Sequence, residues 1–81
     1  MIERRTELRQ HTNIRGLARY GACSNERPCT VYDLSTRGAG LTFASTFGIP
    51  SQFQLRIDGE SSLRHCRVVW TDGKRLGVQF E

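Results

Sequence analysis

A chain of 81 residues holds one hydrophobic core, which excludes a catalytic half with a separate regulatory half, and a domain of this size has roughly 3–5 kcal/mol of stability to lose. Charged residues make up 25% and hydrophobic residues 37%, so disorder is not indicated and a thin-walled barrel fits better than a helical bundle. The net charge is +4, and 11 of the 12 basic side chains are arginine, which favours phosphate or nucleotide ligands because a guanidinium pairs bidentately and stacks on bases. GC-rich codon usage would leave the same bias, so position has to decide.

Residues 1–12 are charged and polar, with Ile2 and Leu8 the only large apolar side chains, and read as an N-terminal arm. From Ile14 the period is two: Ile14, Gly16, Ala18 and Tyr20 alternate with Arg15, Leu17 and Arg19, a strand with a basic outer face. Gly21 to Pro28 reads as a polar loop, and Cys29 to Leu34 as a second strand. Gly38 and Gly40 punctuate a tight connection into Leu41–Phe43, and Ser45 to Ser51 is a further loop. Phe53, Leu55 and Ile57 alternate with polar partners, and Asp58-Gly59 opens a turn. Leu63 to Thr71 is a long strand with Cys66, Val68 and Trp70 predicted on one face. Asp72-Gly73 is a two-residue hairpin signal of type I′, followed by a last strand with Leu76, Val78 and Phe80 inward. Six short strands without a helical stripe predict an all-β fold, a small six-stranded antiparallel barrel at 13–81 behind the arm.

Two motifs carry the chemistry. The first is Arg5-Thr-Glu-Leu-Arg9 on the arm, with Arg4 directly before it. The same R-x-x-x-R spacing recurs at Arg15 and Arg19, but there the side chains alternate with a core face and read as solvated surface. An arm can act as a clamp, its cations drawn onto the barrel by phosphates; the plainer alternative is a basic tail. The second motif is Asp33-Leu-Ser-Thr-Arg-Gly38. Its carboxylate can accept from guanine N1 and N2, Ser35 can donate to a ligand or pin the turn, and Gly38 allows either positive φ or close backbone approach. Read alone, it is an ordinary Asx or Ser turn at a strand end.

Taken together, the two motifs, the six strands and the ending Cys66-Arg-Val-Val-Trp-Thr with Leu76-Gly-Val-Gln-Phe80 resemble the PilZ domain, a β-barrel family that receives the bacterial second messenger cyclic di-GMP. The resemblance runs from Glu3 to Phe80. It implies that Arg5 and Arg9 grip phosphate and guanine, with Arg4 adding a contact, while Asp33, Ser35 and Gly38 line the base. It also implies second-messenger signalling through an effector protein, by a monomer or a ligand-linked dimer, with no cofactor beyond the ligand; the odd cysteine count and an N-terminus without an apolar signal core predict a cytoplasmic location. Arg37 departs from the family pattern, which often has a second glycine there, and the sequence ends without the C-terminal helix that often covers one barrel opening.

Other chemistries find little support. Cys23, Cys29 and Cys66 form no C-x-x-C, and an odd count argues against a disulfide framework. His65 and Cys66 are neighbours on a strand and face opposite ways, so no metal site is expected. No nucleophile elbow or phosphate loop is present, and no enzymatic activity is expected. No stretch approaches the ~20 apolar residues of a membrane span. The rival readings are an RNA- or single-strand-binding barrel, using Tyr20, Tyr32, Phe43, Phe47 and Trp70 as stacking platforms, and a degenerate PilZ-like module that only binds protein. Most of those aromatics fall on predicted core faces, which weakens the first rival.

Overall fold

The computed structural model describes residues 10–21 and 25–81. Six antiparallel strands, β1 (Gln10–Tyr20), β2 (Asn25–Leu34), β3 (Gly38–Thr42), β4 (Gln52–Ile57), β5 (Arg64–Thr71) and β6 (Arg75–Phe80), close into a barrel in the order β1-β2-β3-β6-β5-β4. Trp70 apart, the inward sets are those the alternation predicts. Ala18, Val31, Leu41, Leu55, Cys66 and Leu76 are all buried, with Ile14, Tyr20, Val68 and Phe80 packed against them.

Several boundaries differ from the sequence reading. Gln10, His11 and Thr12 are already strand, paired with the end of β2. Asn25 to Pro28 is strand rather than loop, held in register by Leu17, Ala18, Arg19 and Tyr20. Polarity hid this segment, because it has no strand partner on its β3 side and needs little apolar surface. Gly38 and Gly40 lie inside β3 rather than before it. The β5–β6 turn is centred one residue later than predicted: Asp72 N–H donates to Arg75 O at 3.0 Å, so Gly73 and Lys74 are the central pair. With φ of 93°, Gly73 takes the left-handed conformation that the first central position of a two-residue hairpin turn demands. The Asp72 carboxylate accepts from the Lys74 and Arg75 N–H groups, which draws the turn forward. Arg75's backbone N–H, ahead of its guanidinium, holds that carboxyl below its ordinary range.

Trp70 is the largest correction. Period two from Cys66 and Val68 sends it inward, but the register with β6 shifts between Val68 and Trp70, so Val69 and Trp70 are both exposed. A bulge re-aims the side chains beyond it.

Cys29 and Cys66 are free and buried, and burial, the leading cause for each, pushes both thiols up to about 12. Only the thiolate is nucleophilic. Both should therefore resist iodoacetamide at pH 8 in the native protein and alkylate in denaturant, as read by peptide mapping; native labelling of either would contradict the packing.

Candidate ligand site on the outer face

Asp33 would point into the core if β2 kept its period, since it lies two residues after the fully buried Val31. A bulge prevents this. The β2–β3 register shifts between Val31 and Asp33, leaving Tyr32 as the extra residue, and Asp33 pairs with Gly40. Gly40 lies between the core residues Ala39 and Leu41, so it and Asp33 share the outer face, while Leu34 returns to the core. On the other side Asp33 pairs with His11 across a second irregularity, between His11 and Ile14. One carboxylate oxygen of Asp33, Oδ1, is shielded from solvent.

Ser35 and Gly38 shape the connection that follows. Ser35 is 7% exposed; its Oγ accepts from the N–H groups of Arg37 and Gly38, both at 3.2 Å, and its own N–H donates to Gly38 O at 2.9 Å. Of the two roles open to this serine, pinning the turn is the one visible in these bonds. The glycine requirement at position 38 is close approach, not positive φ. A Cβ there would stand 2.2 Å from Val78 O, and Gly38 is not among the positive-φ glycines.

Sequence reasoning missed a row of residues beside this motif. Asp33 pairs with Gly40, Gly40 with Gly77, and Gly77 with Trp70. A Cβ on Gly40 would meet the Tyr32 ring at 2.6 Å, and one on Gly77 would meet the Trp70 indole at 2.2 Å. Two aromatic rings therefore lie on a two-glycine floor, continuous with Asp33. Gly40 and Gly77 carried only a partial signal, since a glycine within a strand marks a bulge or a close approach without saying what approaches; periodicity alone placed Trp70 wrongly.

Arg4, Arg5 and Arg9 lie outside the described residues. What the structure places is their point of attachment: β1 begins at Gln10 opposite Leu34, with His11 opposite Asp33. The second R-x-x-x-R pair is separated from the motif. Arg19 pairs with Glu26 at 3.2 Å, and Arg15 is exposed beside a cleft of about 730 Å³ that also takes in Leu17, Pro28, Arg56 and Asp58. That cleft contains none of Asp33, Ser35 and Gly38. A ligand held between a barrel face and an arm needs no deep pocket, so the larger cavity does not displace the motif as the candidate site. Among the described residues no three metal-ligating side chains come together, and no helix is long and apolar enough to cross a membrane.

The described residues form a closed antiparallel six-stranded barrel that carries a carboxylate and an aromatic row on its outer face, beside the start of an arginine-bearing segment. The PilZ domain family matches residues 3–81, and the chain belongs to that family. This is a family of cyclic di-GMP receptors, domains that bind a ligand rather than catalyse. No curated protein matches the chain closely enough to count as a relative.

Proposed function

We propose that this chain binds cyclic di-GMP between its N-terminal arginines and the Asp33 motif, and passes the signal to an effector protein without catalysing a reaction. The observation that carries the reading is the bulge at Tyr32. It brings the Asp33 carboxylate to the outer face where β1 enters the barrel, so the segment bearing Arg5 and Arg9 is attached beside an acceptor suited to the guanine N1–N2 edge. Arg4, Arg5 and Arg9 supply phosphate and base contacts, Ser35 and Gly38 set the turn, and Trp70 with Tyr32 offers ring faces alongside.

Titration calorimetry against cyclic di-GMP, linear pGpG and a mixed oligoribonucleotide tests this. Micromolar or tighter binding to the cyclic dinucleotide alone, with mild salt dependence because only two phosphates are neutralised, is the expected result. Phe47 at 86% and Trp70 at 45% exposure give the nucleic-acid rival a specific support, Trp70 against the inward face that periodicity had assigned it. Equal affinity for the oligoribonucleotide would decide for that rival, and no heat with any ligand would leave a protein-binding module.

Within the same experiment, Arg5→Ala or Arg9→Ala should each lower cyclic di-GMP affinity at least tenfold, since a charge-assisted contact is worth about 1.5–3 kcal/mol. The thermal midpoint of the free protein should barely move. Arg15→Ala and Arg19→Ala should have little effect; the reverse pattern would assign the ligand to the wrong pair.

A further inference from the structure

The described cations fall into two groups. Arg19, Arg64, Arg67 and Arg75 pair with Glu26, Glu60, Glu81 and Asp72 at 2.9–3.2 Å, and Arg27 donates to the carbonyl oxygens of Ser45 and Phe47. Among the described residues Arg15, Arg37, Arg56 and Lys74 have no carboxylate partner. Arg15 and Arg56 belong to the separate cleft, and Lys74 to the β5–β6 turn. Arg37 alone stands within the Asp33 motif.

Its main chain is held from both sides. The N–H donates to Ser35 Oγ at 3.2 Å and the carbonyl accepts from Phe80 N–H at 2.7 Å, while the residue itself is exposed. The guanidinium thus projects from a fixed Cα, on the turn that joins the Asp33 strand to the Gly40 strand. A fixed origin lowers the ordering cost of binding, and an uncommitted planar cation is suited to the non-bridging oxygens of a phosphodiester. We propose that Arg37 is a further ligand contact, pairing with a phosphate of the bound cyclic dinucleotide and setting affinity rather than base choice. This rests on the receptor reading above.

Calorimetry on wild type, Arg37→Ala, Arg37→Lys and Arg56→Ala, at low and at moderate salt, tests it. Arg56→Ala removes the same charge away from the motif. Arg37→Ala should weaken cyclic di-GMP binding at least about tenfold, flatten its salt dependence, and leave the melting midpoint unchanged. Lysine should restore part of the loss, and Arg56→Ala should stay within twofold of wild type. Cyclic di-inosine monophosphate, which shares the phosphates but lacks the guanine amino group, should lose the same factor on Arg37→Ala. Wild-type binding that Arg37→Ala leaves intact, or losses alike in Arg37→Ala and Arg56→Ala, would overturn the contact while sparing the receptor reading. No wild-type binding would end both.

Discussion

Gly38→Ala should destabilise the barrel by about 2–3 kcal/mol, most of what a domain of this size has to lose. The added methyl would stand 2.2 Å from Val78 O, which is backbone in the adjacent β6 and cannot rotate aside. Either the β3–β6 ladder opens at its end or the Ser35 turn shifts. Urea unfolding followed by the fluorescence of Trp70, the single tryptophan, reads this directly, because the indole rests on Gly77 of the same β6. Gly16→Ala is the contrast. Its Cβ would meet Cys29 Sγ and Leu55 Cδ1 at 3.2–3.3 Å, both side-chain atoms that can give way, though Arg56 O is as near, so a smaller loss is expected. A wild-type midpoint for Gly38→Ala would mean that the glycine serves ligand approach and not strand packing.

For Asp33→Ala the sign of the effect is the informative quantity. A carboxylate that accepts from the guanine NH edge contributes, so its removal should weaken cyclic di-GMP binding by roughly 1–3 kcal/mol. Removing a negative charge would otherwise strengthen attraction for any polyanion, so the two accounts predict opposite changes. Cyclic di-AMP presents an acceptor at purine N1 where guanine has a donor. Wild type should reject it, and Asp33→Ala should narrow the gap between the two dinucleotides. If the substitution tightened binding to both alike in a folded protein, Asp33 would be a turn residue and nothing more.

Strand content and the inward faces of β1, β4 and β6 were legible because each alternates cleanly between apolar and polar residues. Bulges were not. The extra residues Tyr32 and Val69 carry no local mark that separates them from regular strand, yet they decide where Asp33 and Trp70 point. Hydrophobic period therefore misplaced the indole. It would have misplaced the carboxylate too, had the motif not been read by composition rather than by parity. Polar Asn25–Pro28 went unseen as strand for a different reason: its ladder comes from β1 alone. At the site, Asp33, Ser35 and Gly38 could be named from spacing, but the Gly40–Gly77 floor could not, since it exists only once β3 and β6 are neighbours.

The half-paired segment of β2 also bears on how the protein survives at high concentration. Sheet edges invite a strand from another molecule, the first step toward fibrils and swapped dimers. Where β3 stops short, Asn25–Cys29 is such an edge. Pro28 has no N–H to offer an incoming chain, and the Arg27 guanidinium ties the neighbouring loop across the gap through Ser45 O at 2.7 Å. The barrel is thus closed by hydrogen-bonded ladders around its girth and, at this opening, by one imino acid and one cation that make it a poor template for its own aggregation.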